Sequence, residues 1–413
     1  MIFGQDVARH VSWRNAKFQT LTPTSSWDIG LERLFVRHHF YPSIPPSILS
    51  DQFAFRPTGS TTAALTFAFH HVTKLLATNN YVRCLLVDFS KAFDTVPHAI
   101  LLHKLESYGC PQHVISWLAS YLTNRTQSVA TPAGTTPPLT ITRSIIQGSG
   151  IGPTSFIATI ADLTPLGQQN IYCKYADDLT IICPKDSSVS LIDEFRHIQS
   201  WAQANLLTIN LSKTVEIVFH SPGLKHFERP LRVLNIEQVV CVRLLGVFFN
   251  DTLSFTPHVD KILSAVSQRF YLLSQLRRQG LDKQGLDNVF KAIVLAKITY
   301  ACQSFSGYLT KHDINRLQAC LNKAFRWGFT NHVIDLTNCF DQYNYKLFQK
   351  ITQHPEHCLH QLLPPKRNLH GRALRRRGHQ YQLPQTKFQL YKTSYINKCS
   401  AVVEGERGGT PFR

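Results

Sequence analysis

Runs of apolar and polar residues predict strands interleaved with helices over the first 255 residues. Residues 81–88 are almost continuously apolar and end on an acid, which is typical of a central strand buried on both faces. At residues 171–182 two adjacent acids separate two β-prone runs, which predicts a hairpin with both carboxylates at its tip. Similar patterns predict helices at 61–76, 97–105, 114–122 and 190–205 and strands near 215–219 and 240–249.

Segments without periodicity separate these elements. Residues 1–30 show no clear period, and we expect them to be poorly folded. A proline-rich turn at 42–46 separates a helix that starts at residue 31 from the helix at 61–76. Residues 130–138 are rich in Pro, Gly and Thr, so they are predicted to form a loop or a hairpin tip.

Beyond residue 257 the apolar spacing is helical, over residues 258–276, 286–301 and 311–327. The change from mixed to helical periodicity predicts a boundary near residue 255. Residues 364–377 are basic and poor in apolar side chains, so we expect them to be solvated or to lie on nucleic acid.

Composition and charge narrow the class of protein. A chain of 413 residues with 43% hydrophobic content can bury a core and is expected to form two or three packed subdomains. The 44 lysines and arginines exceed the 26 acids, which gives a net charge of +18 and favours a polyanionic partner. Composition alone leaves open a basic ribosomal or chromatin-type binding protein.

The cysteines and the apolar runs bear on the location of the protein. The 10 cysteines form no CxxC pair, so they predict reduced thiols rather than a zinc site. The sequence shows no signal peptide, and no apolar run approaches the roughly 20 residues that span a bilayer. A cytoplasmic or nuclear protein without a membrane partner is expected.

Three acids at the ends of apolar strands, Asp88, Asp177 and Asp178, suggest a site for hard divalent cations. Magnesium prefers carboxylate oxygens and completes its coordination with water. Phosphoryl transfer to a sugar hydroxyl uses two such ions. The acids alone also allow a plainer interpretation, in which Asp177 and Asp178 form an ordinary turn and Asp88 caps a helix.

Motifs around these acids occur in the order found in one enzyme family. They are Leu31-Glu32-Arg33-Leu34, Gln52-Phe53-Ala54-Phe55-Arg56-Pro57-Thr58-Gly59, Val87-Asp88-Phe89-Ser90-Lys91-Ala92-Phe93-Asp94, Gln147-Gly148-Ser149-Gly150, Tyr175-Ala176-Asp177-Asp178, Ile209-Asn210-Leu211-Ser212-Lys213-Thr214 and Leu245-Gly246-Val247. With these motifs the sequence resembles, over about residues 31–400, the reverse transcriptases of non-LTR (LINE-type, jockey-like) retrotransposons. The resemblance implies an α+β right-hand polymerase fold, with partial fingers, a palm with an antiparallel sheet, a helical thumb and a basic helical C-terminal region.

The resemblance also implies a reaction. An RNA-directed DNA polymerase extends a DNA primer on an RNA template with dNTPs, by nucleotidyl transfer onto the primer 3′-hydroxyl. Asp88, Asp177 and Asp178 would bind two Mg²⁺ ions, which Mn²⁺ could replace. Lys213 would assist the departing pyrophosphate by charge or by proton donation, although an ordinary surface lysine is the alternative.

Other positions match the family's contacts with its substrates. Nucleotide-binding positions are matched by Phe89, Phe93, Gln147 and Gly148. The ring of Phe93 matches a steric gate that would exclude a 2′-hydroxyl, although core packing would also explain a phenylalanine there. Contacts with the template or the primer are implied for Arg56, Tyr175, Leu245 and Gly246.

The matched regions give a division of the chain and two departures from the family. The division comprises an unmatched segment (1–30), fingers and palm (31–255), a thumb (256–340) and a basic C-terminal region (341–413). Family members carry an Arg-Pro-Ile-Ser-type segment just before the first motif, and residues 25–30 do not match it. The endonuclease domain that precedes this segment in the family is also absent from the sequence.

These departures indicate a copy truncated at its N-terminus and leave two hypotheses open. The chain is either an active polymerase that uses a nick made elsewhere, or a catalytically inactive remnant that only binds nucleic acid. A group II intron maturase or a telomerase-like enzyme shares the palm motifs but fits their spacing less well.

Overall fold

The two sequence patterns that end on acids form neighbouring strands of one sheet in the computed structural model. β1 (Tyr81–Val87) lies between β7 (Asp178–Pro184) and β8 (Val215–His220) and pairs antiparallel with both. β6 (Ile171–Tyr175) forms the predicted hairpin with β7, and β9 (Glu237–Val239) completes the order β6–β7–β1–β8–β9. The pairing of β9 with β8 is parallel, which departs from the antiparallel sheet expected from the resemblance.

The structure describes residues 26–131, 134–146, 148–224, 227–366, 381–385 and 388–401. Residues 1–25 of the segment predicted to be poorly folded lie outside this set, and so do residues 367–377 of the basic segment. The described part of the chain begins with a helix at Ser26, inside the segment that the sequence predicted to be poorly folded. Burial of the side chain of Phe35, in its last turn, stabilises this helix.

Helices pack on the sheet in the strand-rich part of the chain. They are α1 (Ser26–Phe35), α2 (Tyr41–Ser43), α3 (Thr61–Leu76), α4 (Ala92–Thr95), α5 (His98–Ser107), α6 (Gln112–Leu122), α7 (Gly152–Thr159) and α8 (Leu191–Ala204). The helices predicted in this part are confirmed to within a few residues. Ser60 caps α3, since its hydroxyl oxygen accepts a hydrogen bond from the Ala63 N–H at 3.1 Å. The mixed order of elements confirms the predicted α+β class.

Three small hairpins or strand pairs lie outside the main sheet. β2 (Thr126–Gln127) pairs with β5 (Leu139–Thr140), and β3 (Ala130–Thr131) pairs with β4 (Gly134–Thr135). The hairpin tip predicted at residues 130–138 is therefore confirmed. The strand region predicted near 240–249 forms a third pair, β10 (Cys241–Leu244) with β11 (Val247–Asn250).

The sheet separates two apolar cores, because successive side chains of a strand point to opposite faces. Val82 and Cys84 belong to one core, together with α3 and the helices after residue 255. Leu85 and Val87 belong to the other, together with α1 and the helices of the strand-rich part. All four side chains are buried, which confirms that β1 is a central strand covered on both faces.

The chain after residue 255 is helical, as the periodicity predicted. Its helices are α9 (Thr256–Arg278), α10 (Lys283–Phe290), α11 (Ala296–Thr299), α12 (Cys302–Phe305), α13 (Lys311–Arg326), α14 (Leu336–Gln353), α15 (Gln389–Thr393) and α16 (Tyr395–Ala401). The helix predicted at 286–301 is divided by a π-helical turn at Lys291–Leu295 and ends before Ala301, whose φ is +52°. None of the helices in the described ranges has the length and apolar character needed to cross a bilayer.

The helical half shares its core with the strand-rich part. α3 packs against α12 and α16, and Phe69 of α3 belongs to the same core as Phe305, Tyr395 and Ile396. The boundary predicted at residue 340 falls inside α14. The boundary near 255 marks a change of secondary structure, and the two parts are packed together across it.

Candidate active site

Asp88 follows directly on β1, where the strand leaves the core. The segment that leads to Lys213 holds its backbone on both sides. The Asn210 N–H donates to the Asp88 carbonyl at 2.7 Å, and the Asp88 N–H donates to Thr214 Oγ1 at 3.3 Å. Asp88 and Lys213 are therefore fixed in one hydrogen-bonded frame.

Asp177 and Asp178 lie at the turn of the β6–β7 hairpin, where Tyr175 pairs with Asp178. Ala176 lies in the turn with a φ of +54°, a left-handed conformation that is costly for residues other than glycine. Because β7 pairs with β1, the turn lies beside Asp88. The strand pattern thus brings together three acids from two distant parts of the sequence.

Negative charge is concentrated at this turn. Partial burial and the carboxylate of Asp88 raise the pKa of Asp177. Desolvation, with Asp177 and Asp88 as neighbours, raises the pKa of Asp178 to about 6, although its side chain keeps an exposed surface. Over the described ranges, no lysine, arginine or histidine forms an ion pair with any of the three acids.

A cleft of about 500 Å³ opens beside the acids. Asp88, Asp178 and Lys213 line it, and so do Leu245 and Gly246 from the turn between β10 and β11. Residues that the sequence assigned to metal, pyrophosphate and primer therefore meet in one cleft.

The turn at Leu245 and Gly246 is fitted against the helical half. Both residues have positive φ, +45° and +85°, as in the tight primed turns of hairpins. Tyr300 donates its hydroxyl hydrogen to the Leu245 carbonyl at 3.0 Å, and a Cβ at position 246 would lie 3.3 Å from its ring. Burial, with Tyr300 and Asp178 as neighbours, raises the pKa of Tyr175. Tyr300 thus joins the site, and nothing in the sequence motifs indicated it.

Residues 31–249 match the sequence model of a family described as reverse transcriptase (RNA-dependent DNA polymerase). The match covers more than half of the 413 residues and includes all three acids and Lys213. The chain belongs to the reverse transcriptase family. Its members are nucleotidyltransferases, and the predicted family is confirmed.

Two relatives come from mobile elements of Drosophila melanogaster. The probable RNA-directed DNA polymerase from transposon BS is 25% identical over 296 residues, which cover 68% of this reverse transcriptase and 32% of the relative. The RNA-directed DNA polymerase from mobile element jockey is 25% identical over 293 residues, with coverages of 67% and 31%. The chain thus spans about a third of the length of these relatives. The predicted kinship with non-LTR, jockey-like elements is confirmed at this distance.

Solved structures of telomerases resemble the chain at low scores. The telomerase from Candida albicans with a TWJ fragment of telomeric RNA has a TM-score of 0.36 at 12% identity, covering 78% of this chain and 56% of its own. The apo telomerase from Candida tropicalis has a TM-score of 0.40 at 12% identity, covering 80% and 54%. Family membership rests on the sequence match.

The carboxylates suit the divalent metal ions that reverse transcriptases use. They are hard oxygen donors that form no ion pair with the described residues, and two of them line an open cleft. In the described part of the chain, no three His, Cys, Asp or Glu side chains already converge as a metal site. Magnesium takes one or two carboxylates and fills its shell with water and substrate phosphates, so the open arrangement fits this ion.

The two phenylalanines that were predicted to contact the nucleotide, Phe93 and Phe89, differ in how deeply they are buried. Phe93 is half-buried and stacks on Phe156, with ring centroids 4.2 Å apart. Packing therefore accounts for one face of its ring, and the steric gate stays a prediction. Phe89 is only 5% exposed, and its ring packs against Trp201. Core packing therefore accounts for the ring of Phe89, and its predicted contact with a nucleotide stays a prediction.

The glycine-rich loop is partly described. Gln147 lies outside the described residues. Gly148 has a φ of +84° with open space around it, so the backbone conformation is what favours glycine there. The buried carboxylate of Glu32 accepts hydrogen bonds from the Gly150 N–H and from the Tyr121 hydroxyl, the latter at 2.9 Å. Glu32, in the first motif, therefore anchors this loop, a role that sequence reasoning missed.

The side chain of Arg56 forms hydrogen bonds within its own loop. Its guanidinium donates to the carbonyls of Leu49 and Gln52, the latter at 3.2 Å. These bonds account for an arginine at this position by loop structure. The predicted contact of Arg56 with the template stays a prediction.

Proposed function

We propose that the chain is the RNA-directed DNA polymerase of a non-LTR retrotransposon, which adds dNTPs to a DNA primer on an RNA template. The observation that carries the proposal is the cleft lined jointly by Asp88, Asp178 and Lys213. The names of the relatives from BS and jockey describe the same activity. The net charge of +18 suits nucleic-acid substrates.

The residues of the cleft have separable tasks in this proposal. Asp88, Asp177 and Asp178 would hold two divalent ions, which activate the primer 3′-hydroxyl and offset the charge of the triphosphate. A proton and a metal ion compete for Asp178, whose pKa is raised to about 6, so the affinity for metal should fall as the pH drops below about 6. The exposed ammonium of Lys213 would neutralise the departing pyrophosphate or protonate it.

We assign the larger regions in the same way. Residues 31–255 would form fingers and palm, residues 256–340 a helical thumb that guides the primer–template duplex, and residues 341–413 a basic C-terminal region. The predicted contacts of Leu245 and Gly246 with the template or the primer fit their place at the cleft, and Tyr175 lies in the neighbouring hairpin. A cytoplasmic or nuclear location stays a prediction.

The test is primer extension on a homopolymer RNA template with Mg²⁺. We expect the unaltered chain to incorporate dNTPs and Asp177→Asn to lose on the order of 10²-fold or more in rate, since ligand charge in the transition state is removed. Asp186→Asn, an exposed acid near the other end of β7, is the matched control and should behave like the unaltered chain.

The outcomes separate the polymerase from the inactive remnant. Equal incorporation by the unaltered chain and Asp177→Asn would contradict the assignment of the acids. Salt-sensitive RNA binding without any incorporation would overturn the polymerase and support a remnant that only binds nucleic acid.

A further inference from the structure

The motif that begins at Gln52 lies against the outer edge of the metal-site hairpin. The Phe53 N–H donates to the Lys174 carbonyl at 2.9 Å, and the Lys174 N–H donates to the Asp51 carbonyl at 2.8 Å. The Lys174 ammonium, 1% exposed, also pairs with Asp51 at 2.9 Å. Residues 51–53 thus extend the sheet beside β6, up to the residue before Tyr175.

The side chain of Gln52 reaches into the hairpin turn itself. Its Oε1 accepts hydrogen bonds from the N–H groups of Phe53 and Ala54, at 3.1 and 2.9 Å, and from the N–H of Ala176 at 3.1 Å. The first two bonds only brace its own loop. The third holds the residue with φ +54° that directly precedes Asp177.

The environment of Gln52 favours a role for this carbonyl oxygen. The side chain is 1% exposed, and among the described residues its Nε2 has no hydrogen-bond partner. A buried donor without a partner costs about 1–3 kcal/mol. An apolar side chain would avoid that cost, so the amide is explained by what its oxygen holds.

We propose that Gln52 is a positioning residue for the metal site, whose carbonyl fixes the left-handed turn at Ala176 and thereby aims the carboxylates of Asp177 and Asp178. The inference rests on the proposed polymerase function for its catalytic consequence. Its effect on metal binding can be measured without any turnover.

The experiment compares Mn²⁺ binding, followed by electron paramagnetic resonance of the free ion, in the unaltered chain and two variants. Gln52→Leu removes the acceptor at similar volume, and its affinity for Mn²⁺ should fall on the order of 10-fold, as when a partner that orients a metal ligand is lost. Gln52→Glu keeps acceptor oxygens and should bind Mn²⁺ nearly as the unaltered chain does. In primer extension, Gln52→Leu should need more Mg²⁺ for half-maximal rate, with an unchanged primer–template Kd.

A matched control separates positioning from general stability. Gln318 accepts a hydrogen bond from the Leu336 N–H at 2.9 Å in the helical half, away from the acids. Gln318→Leu should leave Mn²⁺ binding unchanged, even where its melting temperature falls as much as that of Gln52→Leu. Equal Mn²⁺ affinity in Gln52→Leu and the unaltered chain would overturn the inference.

Two further results distinguish a failure of this inference from a failure of the proposed function. An unaltered chain that binds Mn²⁺ but incorporates no dNTP would overturn the polymerase, while the Gln52 variants would still decide the positioning role. If Gln52→Leu does not fold, hydrogen exchange in the unaltered chain decides it. The Ala176 amide should then be protected, and exchange as fast as in an open turn would contradict the bond to Gln52.

Discussion

Carboxylates in and around the central sheet fall into two groups, which differ in the partners that the protein provides for their charge. Glu216 on β8 is completely buried and bonds Arg83 at 2.6 Å. Glu194 is equally buried and accepts hydrogen bonds from the Tyr172 hydroxyl at 2.6 Å and from Asn170 at 2.7 Å. In the first group every charge is met by a cation or by hydrogen-bond donors of the protein.

The second group consists of Asp88, which follows β1, and of Asp177 and Asp178 at the turn between β6 and β7. Within the described ranges these acids form no ion pair. Burial, with Asp88 as a neighbour, raises the pKa of Asp177, and burial, with Asp177 and Asp88 as neighbours, raises the pKa of Asp178. Uncompensated like charges oppose folding, because each charged form is less favourable beside the others. The fold thus neutralises its structural acids from within and leaves the acids of the cleft to be neutralised by something that binds. The following three experiments either break this contrast or sharpen it.

Breaking a pair of the first group should have the largest effect. Arg83→Met leaves Glu216 as a buried charge without a cation beside it, with only the hydrogen bond from the Val233 N–H, so the free energy of unfolding should fall by about 3–5 kcal/mol. Urea denaturation at pH 7 measures it. Arg196→Met, in the exposed pair Arg196–Asp193, is the control and should cost about 1 kcal/mol or less. Similar losses of the free energy of unfolding in both variants would show that the buried pair contributes no more to stability than the exposed pair.

Supplying a cation to the second group should stabilise the protein by a smaller amount. Mg²⁺ in 100-fold excess over its Kd adds about 2.7 kcal/mol to a folded state that alone binds it. We expect the melting temperature to rise with MgCl₂ in the unaltered chain and to rise much less in Asp177→Asn/Asp178→Asn. KCl at matched ionic strength controls for screening. An equal rise in both proteins would place the metal effect elsewhere.

Removing one acid of the second group should have the smallest effect, and it should depend on pH. The pKa of Asp178 is raised from 3.8 to about 6, so the folded chain holds this proton more tightly than the unfolded chain. Stability from this group is therefore complete below about pH 4 and is lost as the pH rises through about 6.

Without metal, Asp178→Asn should thus gain stability relative to the unaltered chain between pH 4 and pH 7. The gain should be about 1 kcal/mol or less, because water screens an exposed carboxylate. Urea denaturation with a chelator present, at both pH values, measures it, with Asp186→Asn as the matched control. A gain that is the same at pH 4 and pH 7 would argue against the raised pKa.

The sequence predicted the acids of the cleft because their signal is local. An apolar run that ends on an acid, and two acids between β-prone runs, are recognisable within a dozen residues. The order of the motifs then identified the family. The central strand and the hairpin followed from the same patterns, since a strand that is covered on both faces must be apolar throughout.

Contacts between distant parts of the chain were beyond local patterns. Gln52 and Ala176 are 124 residues apart, and Tyr300 and Leu245 are 55 apart. Polar side chains that act in this way carry no periodicity, so Tyr300 gave no signal, and Gln52 was recognised as part of a motif but without a role. The resemblance implied a basic helical C-terminal region, but the average charge gave no sign that Tyr395 and Ile396 of its last described helix are buried in the core.

The hydrogen bond from Tyr300 to the Leu245 carbonyl has a mechanical consequence. It connects the residue after α11 to the rim of the cleft, and a Cβ added at position 246 would lie 3.3 Å from the Tyr300 ring, so the ring also lies close to the glycine. If the helical half moves while this hydrogen bond is kept, the turn at Leu245 and Gly246 moves with it. In the proposed polymerase, a duplex bound by the helices would therefore shift the turn that is predicted to contact the primer 3′ end.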